Sequence, residues 1–265
     1  MSRGYCLPHP TTPTAPPSQT GFDASSARYL PAYARVRARL LEMIENGKWR
    51  PGNRIHSENE LAPLFKVSVA TIRSALAKLV EEGVLVRTQG VGTFVARTKL
   101  LTPQVRYHQF IRRPGGPIAD VAIKVLSVCR VREGPAVKFL GRDPAGYVRL
   151  QRLVIIDDQH RIYSLSYLPA SRFGTLASLP VEELDGVPLY AYLENRFGTP
   201  TLKNEHFMRV VRFPKAVRRL LHRPRATTGC LWEFVALSYR DIPIEYRCNY
   251  LSEMPLRLRI GFTSF

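Results

Sequence analysis

The first hundred residues alternate short amphipathic segments with turn-forming residues. Apolar side chains recur at helical spacing between Ala32 and Asn46, and the stripe consists of Tyr33, Val36, Leu40, Met43 and Ile44. Gly47 suits the left-handed position that follows a helix, and residues 49–52 have the composition of a turn. The pattern predicts one amphipathic helix that ends near Asn46.

Two further helices are predicted directly after this turn. Ser57 and Glu60 have the Ser-x-x-Glu spacing of a capping box, which predicts the start of a short apolar helix. Ser68 is placed to cap a third helix that ends at Gly83, with an apolar stripe of Val69, Ile72, Leu76, Leu79 and Val80. Two short helices joined by a tight turn predict a helix-turn-helix.

A β-hairpin is predicted after the third helix. Residues 84–87 and 93–95 are rich in β-branched and aromatic side chains, and they are separated by a segment that includes Gln89-Gly90-Val91-Gly92. Glycines at the tip allow the backbone to approach a groove or a phosphate closely, with Arg87 and Gln89 as donors beside them. The hairpin is therefore predicted to be the wing of a winged helix-turn-helix.

The second half of the chain favours strands over helices. Strands are predicted at residues 146–156, 162–168, 230–239 and 244–251, with helices near Ala136, Ala191 and Ala216. A helix, strand, turn, strand pattern that starts at Ala136 recurs roughly eighty residues later. The fold class predicted for the whole chain is α+β, with the winged helix-turn-helix followed by an antiparallel sheet that carries helices.

A chain of 265 residues suits one small and one medium domain. Residues 1–30 are rich in proline, serine and threonine and predict a disordered tail, while residues 98–115 lack a clear period and predict a linker. The predicted domains are then residues 31–97 for DNA binding and 116–265 for effector binding and dimerisation.

Net charge, hydropathy and cysteine content favour some classes of protein and disfavour others. A net charge of +18 favours a polyanionic partner, although the basic excess is spread over both halves. No apolar run approaches the ~20 residues of a membrane span, and the first residues lack the apolar core of a signal peptide. The four cysteines are widely spaced, which indicates neither disulfides nor a zinc site. We expect a cytoplasmic protein without a metal or other cofactor.

The N-terminal motifs together resemble the GntR family of bacterial regulators. The matching motifs, in order, are Ile44-x-x-Gly47, Pro51-Gly52, Ser57-Glu58-x-Glu60-Leu61, Thr71-Ile72-Arg73 and Gln89-Gly90-x-Gly92-Thr93-Phe94-Val95. The resemblance implies double-stranded operator DNA as the partner, read by a recognition helix and a wing. The residues expected to lie at the DNA are Tyr33, Arg54, Ser57, Glu58, Ser68, Val69, Thr71, Arg73, Arg87, Gln89, Gly90 and Gly92.

The resemblance also implies roles for these residues. Tyr33, Ser57 and Thr71 would hold phosphates, Arg73 would reach a base edge or a phosphate, and the wing tip would lie in the minor groove. The chain departs from the family at Val69, where the family often has an arginine able to bind guanine through two hydrogen bonds. Valine offers only an apolar contact with a thymine methyl group, so a different operator preference is expected.

The C-terminal half resembles the UTRA effector domain of the HutC branch of this family, which is related in fold to chorismate lyase. Leu150-Gln151-Arg152, Tyr167-Leu168-Pro169, Leu189-Tyr190-x-Tyr192-Leu193-Glu194 and Asp241-x-Pro243-Ile244-Glu245-Tyr246 carry the resemblance. It implies a small, anionic effector bound between the two halves of the domain. The residues expected to bind it are Arg149, Arg152, Ser164, Tyr190, Glu245 and Tyr250.

The site lacks some family features, because Val154 and Ser164 replace an expected arginine and glutamate. The residues leave open whether Arg152 binds a ligand or forms a structural ion pair with Glu245. The predicted function is a sequence-specific, homodimeric repressor controlled by a metabolite. The alternative is a constitutive DNA-binding or plasmid-maintenance protein whose second domain only dimerises. A lyase-like enzyme is disfavoured, since no nucleophile motif, phosphate loop or histidine cluster is present, and no catalytic residue is assigned.

Overall fold

A computed structural model of the chain describes residues 31–97, 108–223, 225 and 227–260. The predicted tail and residues 98–107 of the predicted linker lie outside these ranges. The described residues form two compact units, a helical unit at the N-terminal end and a sheet unit that holds the strands of the C-terminal half. None of the helices in these ranges combines the length and apolar character needed to cross a membrane.

The helical unit contains three helices and a hairpin. Helices α1, α2 and α3 span Ala32–Glu45, Glu58–Phe65 and Val69–Glu81, and strands β1 and β2 span Leu85–Thr88 and Gly92–Val95. Ser57 and Glu60 form the predicted capping box, and Ser68 caps α3. Lys66 takes a left-handed conformation between α2 and α3 with φ of 53°, which makes the turn tight. The helix-turn-helix with its wing is therefore confirmed.

Most of the predicted apolar stripes form the core of this unit, but Tyr33 is 37% exposed and lies outside it. Val36, Leu40, Leu61, Ile72 and Leu79 are at most 4% exposed. Each lies on the face that helical periodicity assigns to the interior, and burying such side chains stabilises a fold by about 1.5 to 3 kcal/mol each. The arrangement leaves the opposite face of α3 in solvent.

The sheet unit contains eight strands and four α-helices. Its strands are β3 His108–Ile111, β4 Val121–Val131, β5 Tyr147–Ile156, β6 His160–Pro169, β7 Lys203–Arg212, β8 Thr228–Leu237, β9 Pro243–Leu251 and β10 Arg257–Ile260. Its helices are α4 Val137–Leu140, α5 Ala170–Phe173, α6 Leu189–Phe197 and α7 Lys215–Leu220, of which α6 belongs to it only up to Tyr192, because Leu193–Leu202 group with the helical unit. The sequence did not predict β3, β4, β7 and β10. Strand β3 lies inside the predicted linker, because it pairs with the distant β10, a partner that local periodicity does not reveal.

Six strands form one antiparallel sheet with internal symmetry. The strand order is β4-β5-β6-β9-β8-β7, so each half contributes three adjacent strands and the halves meet where β6 pairs with β9. Each half runs strand, helix, strand, strand along the chain, as β4-α4-β5-β6 and β7-α7-β8-β9. The repeat predicted from the sequence is thus a structural repeat.

The two faces of this sheet have different chemistry. On the first, the tyrosine face, Tyr147, Tyr163, Tyr167, Tyr246 and Tyr250 form a buried cluster with Val217 of α7, against which Phe139 of α4 packs. On the second, the arginine face, lie Arg152, Ser164, Ser166, Glu245 and Arg247. Side chains alternate along a strand, and the register places these five on adjacent positions of β5, β6 and β9.

Candidate functional site

A surface groove in the helical unit brings most of the predicted DNA-binding residues together. Its volume is about 570 Å³, and it lies between the start of α2, the exposed face of α3 and the hairpin. The predicted residues that line it are Arg54, Ser57, Glu58, Arg73, Arg87, Gln89, Gly90 and Gly92. Among the predicted residues, Tyr33 on α1 and Ser68, Val69 and Thr71 at the start of α3 are not part of its lining.

Ser57 is held in place by the capping box at one end of the groove. Its Oγ donates to Glu60 Oε2 at 2.7 Å and accepts from the Glu60 backbone N–H at 3.3 Å, and its own N–H donates to Glu60 Oε2 at 2.7 Å. The hydrogen bonds from Ser57 lower the pKa of Glu60. The start of α2 is therefore rigid, and the exposed Ser57 lies beside the free N–H groups of the helix.

The start of α3 has a second cap. The Ser68 Oγ accepts from the Thr71 backbone N–H at 3.2 Å and lies 2.9 Å from the Thr71 Oγ1. Helix N-termini carry partial positive charge and unpaired N–H groups, which favour a bound phosphate. The hydroxyl groups of Ser68 and Thr71 lie at such a position.

Glu58 joins the recognition helix to the wing. Its Oε2 accepts from Arg73 Nε at 2.9 Å, and its Oε1 accepts from Arg87 Nη2. The carboxylate is 18% exposed, whereas the arginine side chains are 63% and 55% exposed. Glu58 thus holds two guanidinium groups, from α3 and from β1, toward the same groove while leaving most of each in water.

The hairpin tip requires glycine at two positions. Gly90 and Gly92 have φ of 73° and 142°, values that other residues rarely adopt. A Cβ at Gly92 would lie 2.7 Å from Arg54 Nε, so glycine also lets the Arg54 side chain cross the hairpin. Gln89 is exposed beside them. The tip therefore presents backbone and an amide side chain, without bulk, at the edge of the groove.

A second cluster lies on the arginine face, at the junction of the two halves of the sheet. Arg152 Nη2 donates to Ser166 Oγ at 2.5 Å, and Arg247 Nε donates to the same oxygen at 3.0 Å. Arg247 also donates to both oxygens of Glu245, at 2.7 and 2.9 Å. Glu245 is fully buried, and its carboxylate lies 3.7 Å from Arg152.

The pKa values of the two arginines in this cluster are shifted by burial and by neighbouring charges. Burial, and then the neighbouring Arg247, lower the pKa of Arg152 to about 9. Burial opposes charge on Arg247 too, but its pair with Glu245 leaves its pKa raised. The Arg247 guanidinium carbon lies 5.1 and 4.7 Å from the ring centres of Tyr190 and Phe234, which is cation–π geometry. The environment therefore favours the charge on Arg247 and disfavours the charge on Arg152.

The structure divides the predicted effector residues between the two faces. Arg152, Ser164 and Glu245 share the arginine face, and Tyr190 of α6 stacks over Arg247 there. The structure does not bring Arg149 and Tyr250 together with these residues. Because side chains alternate along a strand, both of these lie on the tyrosine face. There Tyr250 packs against Tyr163 and Phe213 and belongs to the core. Burial there raises the pKa of Tyr250.

Sequence reasoning missed Arg247 and Ser166. Both carry a usable signal, since Arg247 lies two residues after Glu245, and Ser166 two residues after Ser164, on predicted strands. Side chains two residues apart on a strand lie on the same face, so Arg247 could have been predicted beside Glu245, and Ser166 beside Ser164. The ion pair foreseen between Arg152 and Glu245 is present at 3.7 Å, but the bidentate partner of Glu245 is Arg247.

The cluster is closed on the side of Arg152. The cavity next to that residue has no space that a water molecule could occupy, and besides the arginine and Tyr192 its walls are aliphatic: Val125, Leu150, Leu184, Val187 and Leu189. Within the described ranges, no group of three or more His, Cys, Asp or Glu side chains is arranged to hold a metal ion.

A winged helix-turn-helix with an arginine-lined groove, together with a sheet domain that contains a buried polar cluster, defines a DNA-binding transcription regulator. Residues 32–95 match the GntR family of bacterial regulatory proteins, and residues 121–252 match the UTRA domain. The chain belongs to the GntR family, in its HutC subfamily, and is a transcription regulator rather than an enzyme.

Relatives support this assignment over both domains. The chain is 32% identical over 174 residues to the probable fructoselysine utilization operon transcriptional repressor of Shigella flexneri, covering 65% of this chain and 70% of that protein. It is 52% identical over 69 residues to the histidine utilization repressor of Klebsiella aerogenes, covering 26% of this chain and 29% of the relative.

A solved structure matches the sheet unit. It is the ligand-binding domain of a Bordetella bronchiseptica protein described as a GntR-family transcriptional regulator, with a TM-score of 0.53 and 18% identity. The match covers 60% of this chain and 99% of that domain. At this identity the likeness shows a common fold, which is the chorismate-lyase-like fold expected from the sequence.

Proposed function

We propose that this protein is a cytoplasmic, homodimeric repressor that binds a two-fold symmetric operator and releases it when a small anionic metabolite binds the UTRA domain. The observation that carries the proposal is the placement of Arg73 and Arg87, from α3 and from the wing, around one exposed groove. Two converging guanidinium groups fit a DNA backbone and base edges better than they fit an apolar ligand.

In the proposed complex, α3 enters the major groove and the wing tip enters the neighbouring minor groove. Arg73 reaches a base edge or a phosphate, and Val69 at the start of α3 contacts a thymine methyl group. Arg54, Arg87 and Gln89 contact the backbone beside Gly90 and Gly92. Phosphates lie at the helix starts, near Ser57, Ser68 and Thr71, and at Tyr33 on α1.

Glu58 has a positioning role in this proposal. A carboxylate that faced DNA alone would repel phosphates, but Glu58 accepts from both arginines and is mostly shielded by them. It orders two long side chains before DNA binds and so reduces the entropy that binding costs. Gln89 and the glycines need no such support, because the hairpin backbone itself places them.

The proposed homodimer is argued from geometry, and the proposed repression from the names of the relatives. One recognition helix covers a short half-site, and two-fold symmetry supplies a second half-site about one or more helical turns away. The relatives quoted above are named repressors, which favours repression in the absence of ligand. An effector then acts through its different affinities for the DNA-bound and the free dimer.

The test begins with a duplex selected from a random pool by the purified full-length protein. We expect a palindromic site that is retarded at nanomolar protein and a sedimentation mass of two chains. A thermal-shift screen of anionic metabolites then identifies ligands, and each hit is tested for release of that duplex. A monomer bound to a non-palindromic site would contradict the proposal.

The closed cavity beside Arg152 favours one alternative. If the UTRA domain only dimerises, it needs no ligand space, and the protein binds DNA constitutively. The same screen separates the two functions: the alternative predicts that metabolites change neither the melting temperature nor operator binding, whereas the proposed regulator loses its operator in the presence of at least one anion.

A further inference from the structure

The arginine face carries more positive charge than its own residues neutralise. Two buried guanidinium groups, of Arg152 and Arg247, converge on one hydroxyl, Ser166 Oγ, at 2.5 and 3.0 Å. The carboxylate that pairs with them is Glu245, and both of its oxygens are committed to Arg247. Two cations and one anion leave one positive charge in a place that is largely removed from water.

Two hydrogen-bond donors in the same cluster have no acceptor. Arg152 Nε and Ser164 Oγ are buried and make no hydrogen bond in the described structure. Residues 152 and 164 are opposite each other in the β5–β6 register, so both donors project from the same face. Leaving a buried donor without an acceptor is unfavourable, and an anionic acceptor would satisfy both at once.

The surroundings of Arg152 indicate what the anion is attached to. The cavity wall next to its guanidinium is formed by aliphatic side chains, including Val125, Leu150 and Leu189, with Tyr192. Apart from Arg152 itself, such a wall offers the several hydroxyl groups of a sugar one side-chain partner, the Tyr192 phenol, and burying the remaining hydroxyls without partners is unfavourable. A single negative charge balances the cluster, whereas a phosphate monoester carries about 1.5 to 2 at neutral pH.

We propose that Arg247, together with Arg152 and Ser164, forms the anion site of this UTRA domain and that it takes a small monocarboxylate with an apolar body. Val154 stands where a second arginine was expected from the resemblance, and Arg247 on β9 supplies a second guanidinium group on the same face. The carboxylate accepts from Arg152 Nε and Ser164 Oγ, while the planar fork of Arg247 holds Glu245 and Ser166 in place beside it and adds the second positive charge. The aliphatic wall moves aside to admit the apolar body. This inference rests on the proposed function only in taking the UTRA domain to be the ligand-binding domain.

The experiment measures binding of named probes to the full-length protein. Benzoate and isovalerate are the monocarboxylates, benzamide is the neutral isostere, and glucose 6-phosphate and inorganic phosphate are the competing anions. We expect the two carboxylates to raise the melting temperature and to bind in titration calorimetry, with benzamide and both phosphates at least tenfold weaker. No binding of either carboxylate, or tighter binding of glucose 6-phosphate, would overturn the proposal.

Variants then assign the residues. Ser164→Ala removes a hydroxyl without a partner, so we expect normal stability and about fivefold weaker binding of benzoate, the loss of roughly one hydrogen bond. Arg247→Lys keeps the charge but loses the planar fork, and we expect at least tenfold weaker binding. Lys124→Gln, an exposed charge change on β4, is the matched control and is expected to bind benzoate like the parent. Unchanged affinity in both Ser164→Ala and Arg247→Lys refutes the site.

Operator binding distinguishes failure of this inference from failure of the proposed function. Benzoate that binds through Arg247 but leaves the DNA complex intact supports the anion site and counts against metabolite control. A metabolite that releases the operator equally well from the parent and from the Arg247→Lys variant supports the regulator and refutes the role of Arg247.

Discussion

The two units of this protein contain the same chemical group in two environments. At the DNA-reading groove, Glu58 pairs with Arg73 and Arg87, whose side chains are more than half exposed. On the arginine face, Glu245 is paired with Arg152 and Arg247, whose side chains are 4% and 11% exposed. Each cluster is one carboxylate with two guanidinium groups.

Burial gives these clusters opposite properties. In water, an ion pair contributes at most about 1 kcal/mol, so Arg73 and Arg87 can leave Glu58 for a phosphate at little cost. In the interior, charges that lose a partner cost several kcal/mol, so the pairs of Glu245 persist until another anion replaces them. The exposed cluster is suited to a long polyanion, and the buried cluster is suited to one small anion.

The largest effect expected is on stability, from removing the carboxylate of each cluster. Glu245→Gln leaves two buried guanidinium groups without a counter-charge and should lower the free energy of unfolding by about 3 to 5 kcal/mol. Glu58→Gln should lower it by less than about 1 kcal/mol. Urea denaturation of both variants checks the difference, and equal losses would show that burial does not separate the clusters.

The next effect is on DNA affinity. Arg73→Ala should weaken binding to the selected operator by about 1 to 3 kcal/mol, because one base or phosphate contact is lost, while the melting temperature stays within a degree or two. Lys78→Ala, which removes an exposed cation from the same helix outside the groove, is the control and should retain affinity. Gel retardation at fixed salt measures both. Equal affinity of Arg73→Ala and the parent would remove Arg73 from the site.

A smaller effect contrasts a surface serine with a buried one. Ser57→Ala removes the acceptor of the Glu60 N–H and should cost about 1 kcal/mol, the usual loss for a helix cap. Ser164→Ala, at a site that is 1% exposed, removes a hydroxyl with no partner and should be neutral or stabilising. Denaturation midpoints of the two variants test this order, which would be reversed if the Ser164 hydroxyl were satisfied.

The smallest effect expected is a pH dependence from His206 on β7. Its Nδ1 accepts from Trp232 Nε1 at 3.2 Å, and burial lowers its pKa below the ordinary value of 6.5. The unfolded chain then binds a proton more readily than the folded one, so the stabilisation is complete above pH 6.5 and is lost as the pH falls below it. Unfolding measured between pH 7.5 and 5 should show a shallower decline for His206→Gln than for the parent.

The helical unit was predictable because its signals are local. The capping box of Ser57 and Glu60, the cap at Ser68 and the apolar stripe of α3 each involve residues within one or two turns. The same locality placed Gly90 and Gly92 at the hairpin tip. Only the link from Glu58 to Arg73 and Arg87 required the tertiary structure, since it joins three separate elements.

The sheet unit was predictable in its central strands but not in its site. Counting residues along a strand would have separated Glu245 from Tyr250 and Arg152 from Arg149, because positions an odd number apart lie on opposite faces. Strand β10 was missed, since its pairing partner β3 is distant in sequence. Strands β4 and β7 were missed although each pairs with the strand that follows it, β5 and β8. Arg247 was overlooked because no motif of the resemblance includes it.

The sequence by itself determined the family, the winged helix-turn-helix with its caps and glycine tip, and the repeated strand pattern of the effector domain. These depend on hydrogen bonds and periodicities that span only a few residues. The tertiary structure alone decided which arginines share a carboxylate. Arg152 on β5 and Arg247 on β9 meet at Ser166 because β6 pairs with both of their strands, and only strand register brings together side chains so distant along the chain.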